Sequence, residues 1–350
     1  MSRFFAGKLA SLKEYVPGEQ PKNQKYIKLN TNESPYPPSE GVIKAINSEE
    51  VELLRLYPDP DCSKLKEKLA LLYGVEKENV FVSNGSDDIL NFAFLAFGEG
   101  GAVYADITYG FYKVFAALHG VESEIIPLES DFTLDPTKYY GKNKLIAIAN
   151  PNAPTGLFVV PSEIEKVAIN NPDSVVLIDE AYVDFGGESC IPLTKKLENL
   201  LVVATYSKSR SLAGARLGFA IGPKELILDL EKIKFSTNPY SINRLTLLAG
   251  EAAVDDDAYY KANCEKIIEA REYAKDGLES LGFFVTDSKA NFLFARSPEI
   301  SGKELYLKLR EKGILVRHFD DEKITDFNRI TVGTMEEMEA LVKAVKEILG

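Results

Sequence analysis

Lys208 follows the apolar run Leu201–Ala204 in LVVATYSKSRSLAGARLGFAIG, with hydroxyls at Thr205 and Ser207 and a guanidinium at Arg216. An amine just past the end of a buried strand is partly stripped of water, which lowers its pKa and frees its lone pair as a nucleophile. Two hydroxyls and an arginine beside it can hold a phosphate. An amine next to a phosphate site points to pyridoxal phosphate, whose aldehyde condenses with a lysine. Taken alone, the segment also fits a solvated lysine on a turn.

Other residues of this kind stand where strands end. Asp179 closes the run in VVLIDEAYVD (Val175–Asp184), at the carboxyl edge where open α/β sheets bind ligands. A carboxylate there can hold a protonated pyridine nitrogen, and Tyr182 can donate to the ring hydroxyl; the plainer reading is an acidic helix cap. Asn152, between the prolines of ANPNAPTG, can reach the same ring oxygen or serve only the turn. Gly85, Ser86 and Asp87 open a helix whose free amides suit a phosphate, although Asp87 and Asp88 would compete with it. Tyr109 in ITYGFY can stack on a flat ring or simply pack. Arg317 in GILVRHF and Arg329 in NRITVG can converge on an anionic group by bidentate bonds, or stand singly as surface charges.

The elements that must position these groups alternate. From Asn79 onward, short apolar runs (80–82, 101–104, 122–126, 144–149, 174–178, 200–204) are separated by helical stretches (89–97, 109–119, 161–169). This order predicts an α/β fold: a mostly parallel, doubly wound sheet flanked by helices. Leu217–Ile221 returns too soon for a helical crossover and is expected to be antiparallel. After Pro223 the chain turns helical, and its last hundred residues read as a smaller α/β lobe. The boundary near 235–255 divides the chain into an arm (1–30) packing on the small lobe, a large domain (31–240) and a small domain (241–350).

Composition narrows the function classes. The 350 residues carry a net charge of −12 with no basic block, which argues against nucleic acid or an anionic membrane as partner. Cys62, Cys190 and Cys264 are too few and too scattered for a disulfide framework or a metal site, and His119 and His318 add none. No signal peptide, spanning segment, dinucleotide turn or P-loop is visible. A cytoplasmic enzyme or binding protein is expected.

The motifs, in their order, resemble fold-type I pyridoxal-phosphate aminotransferases, and most closely the histidinol-phosphate aminotransferase branch. The resemblance runs through LNTNESPYPP, LYPDP, SNGSDD, TYGFY, NPNAPTG, IDEAYVDF, TYSKSRSLAGARLGF and NRITVG, nearly the whole chain. It implies Lys208 as Schiff-base lysine and proton shuttle, Asp179 on the pyridinium, Asn152 and Tyr182 on the ring hydroxyl, and Tyr109 stacked on the ring. The phosphate would take amides at Ser86 and Asp87, Thr205, Ser207 and Arg216, and Tyr57 from the partner of a homodimer. Arg317 and Arg329 would hold the substrate anion, with Tyr15 and Asn32 in the substrate-side wall. The amino group would pass from histidinol phosphate to 2-oxoglutarate, in histidine biosynthesis. A threonine-phosphate decarboxylase-like lyase and an aromatic amino acid aminotransferase share the same cofactor residues. A binding protein that kept the fold without chemistry would show no visible band with the cofactor. Two departures stand out: Ala153 replaces a second Asn, which leaves the Asn152 assignment open by one position, and Arg210 has no role in the pattern.

Overall fold

The structure, a computed structural model, describes residues 4–10, 12–21 and 25–350. Runs such as LIAIA and VLID are apolar at consecutive positions, so both faces must be covered. They form a seven-stranded sheet: β1 Val80–Ser83, β2 Ala102–Ala105, β3 Ser123–Ile126, β4 Leu145–Ala149, β5 Val176–Asp179, β6 Leu200–Thr205 and β7 Gly218–Ile221. The spatial order is β1-β7-β6-β5-β4-β2-β3. Only β7 is antiparallel to its neighbours, as its short connection requires.

The strand period of two sorts side chains onto two layers. Val80, Val82, Ile146, Ile148, Val176 and Ile178 pack with helices Ser63–Tyr73, Pro161–Ile169 and Arg244–Asp255. Phe81, Ala147, Leu177 and Leu201 pack on the other face with Ser86–Phe97, Phe111–His119 and Lys224–Thr237. Each such buried side chain stabilises by about 1.5–3 kcal/mol, against about 1 kcal/mol for a cap such as Ser39 on the Val42 amide, so packing decides this layering.

A second sheet holds β8 Phe284–Val285, β9 Phe292–Arg296, β10 Arg317–His318 and β11 Asn328–Thr331, in the antiparallel order β10-β11-β9-β8. Helices Asp257–Ser280, Gly302–Glu311 and Met335–Leu349 cover it. The apolar run from Ile314 is divided between two pairings. Ile314–Leu315 pairs in parallel with Ile27–Lys28, whereas Arg317–His318 pairs with β11, so the break lies at Val316. The first pairing ties the segment before residue 30 to this lobe; residues 1–3, 11 and 22–24 of the expected arm lie outside the described residues.

Residues beyond 240 do not all join the small lobe. Ile242, Leu247, Ala253, Val254 and Tyr260 pack in the large-sheet cluster, and beyond residue 240 the first member of the small-lobe cluster is Cys264. The change of core falls inside the 24-residue helix Asp257–Ser280, later than composition suggested, because one amphipathic helix can bridge two cores without a break in its pattern.

Candidate active site

The parallel strands end at one edge, so Ser83, Ala105, Ala149, Asp179 and Thr205 open onto a common crevice. A cavity of about 500 Å³ lies there, lined by Ser86, Asp87, Tyr109, Ala153, Asp179, Tyr182, Thr205, Ser207, Lys208 and Arg216 among others. Its mouth meets a larger cavity of about 1070 Å³ along Tyr15, Asn30, Arg317 and Arg329.

At one end, Gly85 (φ 84°) precedes the helix Ser86–Phe97, which has no side-chain N-cap. The first amides of such a helix lack partners of their own and favour an anion. Gly218 packs directly beneath: a Cβ there would sit 2.4 Å from the Ser86 amide nitrogen, so only glycine lets β7 approach this turn. Thr205 Oγ1 donates to Ser207 Oγ (3.0 Å) and accepts from the Ser207 amide (3.1 Å). The competition expected from Asp87 is resolved by its partners. Its carboxylate accepts from the Tyr109 hydroxyl (2.7 Å) and from Arg216 Nη2 (3.1 Å).

Deeper in, Asp179 has the parity of Leu177 and so faces the helix Phe111–His119. The Tyr112 hydroxyl donates to its Oδ2 (3.1 Å) and the Ala181 amide to its Oδ1 (3.2 Å). Burial outweighs both bonds and pushes the carboxyl up to about 6, with the nearby Asp87 charge adding to the rise. Opposite stands Lys208, half-buried, its Nζ 5.7 Å from the centre of the Tyr182 ring and donating to the Thr31 carbonyl (3.3 Å). Burial, helped by Arg329, lowers this amine to about 8.

At the mouth, Arg317 donates to the carbonyls of Val16 (3.0 Å) and Pro17 (3.2 Å), and Arg329 to that of Asn30 (3.2 Å). The buried Arg329 Nε has no partner among the described residues. Both guanidiniums thus keep uncompensated charge beside the cavity. Tyr15 stacks on Phe111 at 4.3 Å and closes the wall beside them.

Three residues named from the sequence do not line this cavity: Gly85, which only precedes the Ser86 turn, Asn152 and Tyr57. Asn152 donates through Nδ2 to the Ile107 carbonyl and Thr155 Oγ1 and accepts from Thr108, so its amide is fully used, and Ala153 faces the cavity instead. Tyr57 is 78% exposed and stacks on Tyr240 at 4.4 Å, away from its own chain's crevice. Sequence reasoning missed Tyr112, whose hydroxyl holds Asp179, and Thr331, which bonds Asn32. Only its position three residues after Tyr109 marked Tyr112 out.

Arg210 gains a place. Its guanidinium donates to the Ala253 carbonyl (2.9 Å) and to Asp257 Oδ1 (2.5 Å), between the rings of Tyr206 and Tyr260. It therefore pins the lysine loop to the junction of helices Arg244–Asp255 and Asp257–Ser280. Arg210→Met is expected to lower unfolding stability by about 1.5–3 kcal/mol in a urea titration, the range for hydrogen bonds to charged groups. Cofactor binding should survive, because Arg210 points away from the cavity.

The described residues hold no cluster fit for a metal ion and no helix long and apolar enough to cross a membrane. Residues 24–345 match the family model for aminotransferase class I and II. Among curated relatives, the histidinol-phosphate aminotransferase of Brachyspira hyodysenteriae is 51% identical over 352 residues, 100% of this chain and 99% of that one. That of Marinomonas sp. is also 51% identical, over 99% of this chain and 100% of its own. The structure is similar to histidinol-phosphate aminotransferase from Sinorhizobium meliloti, solved in complex with pyridoxal-5'-phosphate, with a TM-score of 0.89 at 23% identity, covering 100% of this chain and 98% of that one.

Proposed function

This chain belongs to the class I and II aminotransferase family, and from that premise we propose that it carries the amino group of histidinol phosphate to 2-oxoglutarate, giving imidazole-acetol phosphate and glutamate. One observation carries the reading: a lysine amine lowered to about 8 and a buried carboxylate line one cavity beside an uncapped, glycine-lined helix start. That set fits pyridoxal phosphate at each end, with a cradle for its phosphate, an acid for its ring nitrogen and an amine for its aldehyde. When bound, the cofactor supplies a ring that can hold the electron pair left at the substrate carbon.

The chain's own residues do the rest. The Ser86 and Asp87 amides, the Thr205 and Ser207 hydroxyls and Arg216 bind the phosphate, and Tyr109 covers the ring. Asp179 keeps the ring nitrogen protonated, because an anion buried with only two hydrogen bonds gains most from a cation beside it. Tyr182 donates to the ring oxygen, a role Asn152 cannot share while its amide is committed elsewhere. Lys208 would hold the cofactor through its aldehyde, and its amine, lowered to about 8, would take and return the proton at the substrate carbon. An amine near 8 is partly neutral at physiological pH, which suits a general base. Arg317 and Arg329 take the substrate phosphate or the 2-oxoglutarate carboxylate. The exposed Tyr57–Tyr240 pair supports a homodimer in which Tyr57 reaches the partner's phosphate site, and we place the enzyme in the cytoplasm.

Mixing the loaded protein with histidinol phosphate alone is expected to bleach its visible band in one turnover, and 2-oxoglutarate to restore it. Release of carbon dioxide from threonine phosphate, with the band unbleached by histidinol phosphate, would assign the chain to the lyases instead.

A further inference from the structure

Asn32 is 1% exposed and sits at φ 55°, the left-handed region that Asn tolerates better than most residues. Its backbone amide donates to Thr331 Oγ1 at 2.9 Å, and the Thr331 hydroxyl donates to Asn32 Oδ1 at 2.9 Å. Thr331 has one proton, so accepting from the amide directs that proton to the side-chain oxygen. The Asn32 Nδ2 must then face Tyr182, 3.0 Å from its hydroxyl oxygen. An amide nitrogen can only donate. The Tyr182 oxygen therefore accepts, and its own proton is left to point into the cavity that Tyr182 lines. The reversed amide would send two N–H groups to Thr331, leave that hydroxyl's proton unplaced and consume the tyrosine proton. Asn291 Nδ2 donates to the Asn32 carbonyl at 3.1 Å and holds the peptide from the other side.

Resting on the reading above, the geometry points to Asn32 and Thr331 as positioning residues that set the direction of the Tyr182 hydroxyl, so that it donates to the cofactor's ring oxygen. Ala153 offers no polar side-chain atom there, which leaves the tyrosine's polarity decisive. Thr331 lies two residues after Arg329 on β11 and shares its face, so one strand carries both the substrate-anion cation and the group that orients the tyrosine.

The test uses the pyridoxal-phosphate-loaded protein and the pH midpoint of its visible absorption change. A hydrogen bond donated to the charged ring oxygen favours that form and lowers the midpoint. Asn32→Asp offers only acceptors and draws the tyrosine proton to itself, so the midpoint should rise by about one pH unit, a tenfold change in that equilibrium. Asn32→Leu, which leaves the proton free, should shift it much less. Thr331→Val should raise it, and Thr331→Ser should restore it. In a Tyr182→Phe background, Asn32→Asp should add only the smaller shift that its new charge causes. A normal band with an unmoved midpoint in Asn32→Asp, or a shift that persists undiminished without the Tyr182 hydroxyl, overturns the assignment. A wild-type protein that gains no visible band overturns the proposed function, and the assignment falls with it.

Discussion

Lys208→Ala is expected to lose turnover by about 10²–10⁴-fold, the range contributed by a positioned proton-transfer group. The cofactor should still bind, because Ser86, Thr205, Ser207, Arg216 and Asp179 remain, but without the covalent attachment that gives the loaded protein its band. The same residue predicts a pH dependence. Burial lowers the amine from 10.5 to about 8, and only its neutral form attacks an aldehyde. Covalent uptake of pyridoxal phosphate by the cofactor-free protein should therefore speed up about tenfold per pH unit below 8 and level off above it. Stopped-flow absorbance checks this directly. A rate still climbing past pH 10 would mean an amine as solvated as any surface lysine. Turnover at the wild-type rate in Lys208→Ala would remove the lysine from the chemistry.

The residues that were legible in the sequence are those whose chemistry depends on near neighbours. Lys208 and Asp179 each follow a run apolar on both faces, and that local pattern is enough to place them at the carboxyl edge of the sheet. The turn at Gly85 is legible for the same reason. Tyr112 was not, because a tyrosine on the apolar face of a helix looks like packing until the strand parity of Asp179 turns the carboxylate toward it. Thr331 lies 299 residues from Asn32, and no local pattern announces a pairing at that separation. Asn152 shows the converse failure. Its residue type suited the ring oxygen, but the stiff loop folds its amide back on Thr155 and Ile107. Arg210 reads as an unexplained cation because its partners come from a helix junction more than forty residues on.

Asp179→Asn is expected to make the cofactor-free protein more stable while abolishing its function. The carboxyl titrates at 3.8 in a solvated chain and at about 6 in the fold. Between these values the folded state holds a proton that the unfolded state has lost, so stability falls as pH rises from about 4 to 6 and stays lowered above. A shift of this size corresponds to on the order of 3 kcal/mol. Burial is the main cause, Asp87 adds to it, and Tyr112, the Ala181 amide and Lys208 oppose it. Asparagine keeps an acceptor for Tyr112 and carries no charge, so the melting temperature of the cofactor-free variant should exceed wild type at pH 7–8. That gain should shrink as pH falls through 6 and vanish below about 4. With pyridoxal phosphate added, the order should reverse: the wild-type carboxylate meets the ring cation and is stabilised by it, whereas the asparagine amide meets the same cation without a charge. Melting curves at pH 4, 6 and 8, with and without cofactor, separate the cases. A variant no more stable than wild type at pH 8 in the cofactor-free form would mean that Asp179 is not held at a cost, and that its burial is not what draws a cation to the ring nitrogen.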